Sequence, residues 1–217
     1  MTRIQARIGI ALLSMFAVAA PAFAGPPLLC HPFDIGDARS LPWSTGGNWA
    51  EGRPDYEIAR LVADTEALLT PTTPVIVRME TLRRAAIYAS RERHVAEQLF
   101  AAVTSRARAS EAAGRVDALA FLDAAYVTGA FRQIGMLEQM AQFRDRAPLM
   151  RSLVANTDAY ALIAKSVAAS PNDPAVQFAA ALIASDSSRD AYRAHAQKAR
   201  DGAHRDALLA RNIAHVS

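Results

Sequence analysis

The sequence has 217 residues, 52% of them hydrophobic and 21% charged, with one cysteine and a formal net charge of +3. Such a chain can bury a core in one domain or two small ones, and it is too apolar to be disordered; a single cysteine leaves no intramolecular disulfide framework, Cys-rich zinc site or c-type haem attachment. The 48 alanines swell the hydrophobic fraction while aromatics reach only 7%, so the core is expected to be small and aliphatic, as in closely packed helices.

Residues 1–24 have the pattern of a secretory signal peptide. Arg3 and Arg7 give the positive start, Ile8 to Ala20 is an uncharged and mostly apolar run, Pro21 breaks it, and Ala22-Phe23-Ala24 is a small-x-small cleavage site. The run is shorter than the ~20 apolar residues a membrane-spanning helix needs. Cys30 follows Leu28 and Leu29, whereas the residue before a lipidated cysteine is normally small, so cleavage after Ala24 is expected rather than lipidation. Losing Arg3 and Arg7 lowers the net charge from +3 to +1, which gives no electrostatic case for nucleic acid. The expectation is a periplasmic or secreted protein with no transmembrane span after cleavage.

Residues 25–54 read as an extended arm. Pro26, Pro27, Pro32, Pro42 and Pro54 and the glycines Gly36, Gly46, Gly47 and Gly52 leave no room for a long helix. The same stretch holds Cys30, Phe33 and both tryptophans, Trp43 and Trp49, so it is expected to dock on a helical body rather than to act as a flexible linker. Phe33, Trp43 and Trp49 are the candidate docking residues, with both tryptophans substantially buried.

Residues 55–217 read as one all-helical domain. Ile58, Leu61, Val62, Thr65, Leu68 and Leu69 share one face at helical spacing. Thr70-Pro71-Thr72-Thr73-Pro74 ends that helix, and Thr73 is expected to cap the next, with Pro74 in its first position. Val75, Met79, Leu82, Ala86 and Ala89 form the second stripe. Val95, Leu99, Ala102 and Val103 form the third, which stops near Gly114. The fourth helix, from about Arg115, is apolar around more than half its circumference, through Val116, Leu119, Phe121, Leu122, Ala125 and Tyr126, and is therefore expected to be central. A short helix near Pro148 follows, then helices from Asp158, Pro174, Arg189 and Asp206. No stretch alternates like a strand. Short loops favour antiparallel pairs, so the fold class is all-α: a bundle or a short α-solenoid.

Within this domain, residues 159–200 resemble a tetratricopeptide repeat. Ala159, Ile163 and Pro171 match the small, large and proline positions that close one unit, and Ala179 and Ala191 match the two small helix-packing positions of the next. His195 and Lys198 depart from the pattern, and the earlier helices do not keep the repeat's period of about 34 residues. The resemblance implies helical pairs with a protein-binding concave face. Gly25 to Phe33 is also similar to the start of exported bacterial proteins, which implies export but no mechanism.

Chemistry has one sharp candidate, Cys30-His31-Pro32-Phe33-Asp34 with Asp37 beyond it. A thiol beside an imidazole suggests a thiolate nucleophile or half a metal site. Adjacent side chains on an extended segment point to opposite sides, however. Cys30 reads better as a buried small hydrophobe, or as a disulfide to a second copy in an oxidising compartment. His94, His195, His204 and His215 show no zinc spacing, and no nucleophile-elbow, phosphate-loop or dinucleotide motif is present. Acid–Arg pairs such as Glu57–Arg60, Glu80–Arg84 and Asp201–Arg205 read as solvated helical ion pairs, and Arg83-Arg84 as a solvated face. The expected function is non-enzymatic: an exported, helical-repeat-like module that binds another protein, with no cofactor or metal. The alternative is a cell-envelope enzyme or thiol protein using Cys30 and His31.

Overall fold

The computed structural model describes residues 25–44, 46 and 48–216; the expected signal peptide, residues 1–24, lies outside them. Among the described residues the chain is helical, with no strand. Nine α-helices run in order: α1 Leu61–Leu68, α2 Val75–Ala89, α3 Arg93–Ala112, α4 Ala118–Gly135, α5 Ala147–Leu153, α6 Ala159–Ala169, α7 Pro174–Ala184, α8 Arg189–Gly202 and α9 Ala207–Asn212. A 3-10 turn, Ile58–Arg60, leads into α1. No helix among the described residues is long and apolar enough to cross a membrane.

Local chemistry sets the helix ends. The carboxylates of Asp117, Asp158, Asp173 and Asp206 each accept from two of the first free amides of α4, α6, α7 and α9. Ser188 does the same for one amide of α8. Gly114, just past α3, takes the left-handed φ of +73° that closes a helix cheaply only for glycine. The start of α2 differs from the expectation. Pro74 lies outside the helix in an extended conformation, and Thr73 does not cap it. The Thr73 hydroxyl instead donates to the Leu68 carbonyl at 2.7 Å, satisfying an orphan acceptor at the end of α1.

Three helices are buried nearly all round: α2, α4 and α7. α4 is central, as its wide apolar surface suggests, and meets α2, α3, α5, α6 and α7. α6, α7 and α8 pack on one another in chain order. The contacts of α4 with α2, α6 and α7, and of α2 with α7, join elements that are not sequence neighbours. Such contacts tie the helices around a shared core, whereas a solenoid unit touches only the next unit.

The described residues of 25–53 contribute to that core without forming a helix. Leu28, Leu29, Phe33, Ile35 and Leu41 are buried in the same apolar cluster as α2, α4 and α7. At roughly 1.5–3 kcal/mol for each large side chain, their burial holds the segment firmly on the body. Two of its contacts leave no room for a Cβ. A Cβ at Gly129 in α4 would stand 2.7 Å from a Leu28 methyl, and one at Gly52 would stand 2.3 Å from the Tyr88 ring.

Candidate functional site: a groove that grips main chain

An irregular segment on a protein body must find hydrogen-bond partners for amides and carbonyls that no helix satisfies. Here the body supplies them from side chains. Along α2, Glu80, Arg83, Arg84 and Tyr88 recur at helical spacing. Along α4, Tyr126 and Gln133 lie two turns apart, and α9 ends with Asn212.

These side chains take the segment in order. Gln133 Oε1 accepts from the Leu28 amide at 2.9 Å, and the Tyr126 hydroxyl donates to the Leu28 carbonyl at 2.7 Å. Arg83 Nη1 donates to the carbonyls of Leu29 (3.2 Å) and Trp49 (3.1 Å). Glu80 Oε2 accepts from the Phe33 amide at 3.1 Å. Asn212 brackets Asp34, accepting from its amide and donating to its carbonyl, both at 2.8 Å. Arg84 donates to the Leu41 carbonyl at 2.6 Å, and the Tyr88 hydroxyl donates to the Pro42 carbonyl at 2.8 Å while accepting from the Arg53 amide. Apolar side chains fill the space between these bonds, so the groove reads both main chain and a pattern of large apolar residues.

The floor of the groove is ionic and corrects the sequence expectation. Glu80 and Arg83 are 0% exposed and Arg84 18%; they are not a solvated helical face. Arg83 grips the Glu80 carboxylate with two bonds of 2.7 and 2.9 Å, and Arg84 adds a third of 2.7 Å. Burial alone would raise the Glu80 carboxyl, but the two guanidiniums hold it below its ordinary range. The pairs look local in sequence, at i,i+3 and i,i+4, which is why they read as surface pairs. The covering main chain comes from residues that lie 34 to 54 positions away.

The candidate docking residues are distributed unevenly. Phe33 is buried, edge-on to Phe178 with ring centres 6.0 Å apart and stacked on His215 at 5.2 Å. The tryptophans are only half-buried. Trp43 meets Tyr88 edge-on and lies beneath the Arg83 guanidinium, 4.8 Å from its ring centre. Trp49 stacks on Phe143 at 5.8 Å. The deepest anchors are therefore Leu28, Leu29, Phe33 and Leu41, and of the leucines neither composition nor spacing gave a sign.

Cys30 is half-buried and free of any disulfide. Burial pushes its thiol up to about 11, against an opposing pull from Arg83, so it is overwhelmingly protonated at neutral pH. A nucleophile requires the thiolate. His31, also half-buried, is held below the usual imidazole range by burial. It meets His215 edge-on at 6.0 Å. Among the described residues no group of three or more His, Cys, Asp or Glu could hold a metal ion.

Two other features escaped the sequence reading. Asp123 of α4, 1% exposed, bonds Arg78 of α2 at 2.8 Å, with Arg106 of α3 at 3.5 Å. Burial raises the Asp123 carboxyl to about 6 despite both arginines. His195 Nδ1 donates to Gln177 Oε1 at 2.7 Å, joining α8 to α7 beside an open cleft of about 630 Å³ lined by Asn172, Lys198 and Arg205. Comparison of the chain with models of protein families, with curated proteins and with solved structures finds no match.

Proposed function

We propose that this chain is exported, loses residues 1–24, and works as a non-enzymatic protein-interaction module of helical-repeat-like construction. One observation carries the reading: the helical body already holds an irregular polypeptide segment, through side chains that bond its amides and carbonyls. A body so equipped recognises polypeptide, which is the chemistry of a protein partner. The succession of α6, α7 and α8, with Ala159 and Ala179 buried and Ala191 half-buried, supports the tetratricopeptide-like part of the reading. The raised Cys30 thiol speaks against a cysteine nucleophile.

Two measurements test the proposal. Mass spectrometry of the protein recovered from outside the cytoplasm of its host is expected to find Gly25 at the N-terminus. Cross-linking in intact cells, followed by rebinding of the purified pair, is expected to yield one saturable protein partner. A chain retained with residues 1–24, or a cross-linked pair that fails to rebind, contradicts the reading.

A further inference from the structure

We propose that the groove over α2, α4 and α9 binds an irregular, turn-containing segment of another polypeptide, with the chain's own residues 26–42 acting as a competitor in cis; this rests on the interaction-module reading above. The segment it takes carries two adjacent large apolar residues followed, four positions after the second, by an aromatic, the pattern of Leu28, Leu29 and Phe33. Those three side chains are buried, while Asp34 and Gly36 to Arg39 are exposed. Ile35 is buried with them, and Cys30 and His31 are half-buried, so recognition rests on the anchors and the main chain and leaves only Pro32, Asp34 and residues 36–39 exposed. The polar bonds that Gln133, Tyr126, Glu80 and Asn212 make to the segment all go to backbone atoms, and any polypeptide that takes the same turn presents the same atoms.

The composition of the floor makes exchange physically accessible. An emptied apolar groove exposes surface that water does not satisfy. Here Glu80 keeps its bonds to Arg83 and Arg84, all on one helix, and water can take the places of the departing amides and carbonyls. The occupying segment has few bonds of its own. Among the described residues its backbone bonds to itself lie in short turns, from Leu29 and Cys30 to Pro26, from Ala38 to Ile35 and from Glu51 to Asn48. The connection to α1 passes through the exposed residues Arg53, Pro54 and Asp55.

A segment bound in cis lowers the apparent affinity for one in trans by the fraction of grooves left empty. The test uses a fluorescent synthetic peptide of residues 26–42, acetylated and amidated, titrated into the purified protein. Phe33→Ala, which weakens the competitor alone, is expected to tighten peptide binding at least about tenfold. Adding Asn212→Ala, which removes the bracket on Asp34, is expected to weaken it again. A scrambled peptide is expected not to bind. Absence of binding to folded Phe33→Ala protein, equal affinity for both proteins, or equal binding of the scrambled peptide overturns the inference. If Phe33→Ala does not fold, Leu41→Ala at the far end of the segment gives the same comparison. Cellular cross-linking reports a partner on any face, so the groove can fail this test while the broader reading stands, and the reverse.

Discussion

Replacing Arg83 with methionine removes the guanidinium while keeping an apolar stem of similar length. Four hydrogen bonds go with it: two to Glu80, at 2.7 and 2.9 Å, and one each to the carbonyls of Leu29 and Trp49. Glu80 remains buried with Arg84 as its only close cation. Removing one partner of a buried ion pair costs about 3–5 kcal/mol, and each carbonyl left without a donor adds about 1–3 kcal/mol unless water enters. Relaxation of the segment recovers part of this, so the expected loss is about 3–5 kcal/mol overall. In a chain of this size that lowers the melting temperature by roughly 6–20 °C. Both tryptophans lie on the gripped segment, which lets one assay separate undocking from unfolding. In Arg83→Met protein, tryptophan emission is expected to shift red before helical circular dichroism is lost. A loss under about 1 kcal/mol with unchanged emission would refute the idea that Arg83 fastens the segment.

Three further outcomes follow from the same geometry. Leu122→Ala in α4, where Leu122 is fully buried, is expected to destabilise by about 2–5 kcal/mol in urea denaturation; a change below about half a kcal/mol would mean that α4 is not central. Cys30, raised from 9.0 to about 11, is expected to react with iodoacetamide about a hundredfold more slowly in the folded protein than in urea, since two units of pKa remove that much thiolate; comparable rates would reopen the thiol chemistry. Asp123, raised from 3.8 to about 6, binds its proton more tightly folded than unfolded. Its contribution to stability is therefore fully present below about pH 4 and is lost as pH rises through 6. Relative to Asp123→Asn protein, the wild type should melt progressively higher between pH 7 and pH 4; parallel pH profiles would contradict the shift.

Much of the helical order is legible from single residues. Asp117, Asp158, Asp173, Ser188 and Asp206 mark the starts of five helices because a short side-chain acceptor beside free amides works locally. The central place of α4 follows from the width of its apolar surface. Thr73 shows where local reasoning stops: both neighbouring helix ends offered it a partner, and it serves the carbonyl behind it rather than the amides ahead. The groove was largely hidden. Glu80, Arg83 and Arg84 satisfy every rule for an exposed helical ion pair, and only a chain segment far away in sequence buries them. Asp123 and Arg78 pair across 45 positions, beyond the reach of any helical periodicity. Phe33, Trp43 and Trp49 pointed to the right segment, since large aromatics between prolines need somewhere to pack. The leucines lie deeper than the tryptophans, and Leu28 packs against Gly129, where even a Cβ would stand 2.7 Å from its methyl.

The helical body holds an irregular polypeptide segment by its main chain. Native-state hydrogen exchange at the Leu28 and Phe33 amides tests it most directly, because their acceptors are the side chains of Gln133 and Glu80. Protection at both sites is expected to approach that of buried amides in α4, with Glu80→Ala and Gln133→Ala each lowering it at the amide that loses its partner. Exchange at both amides as fast as in an unstructured peptide would contradict the claim.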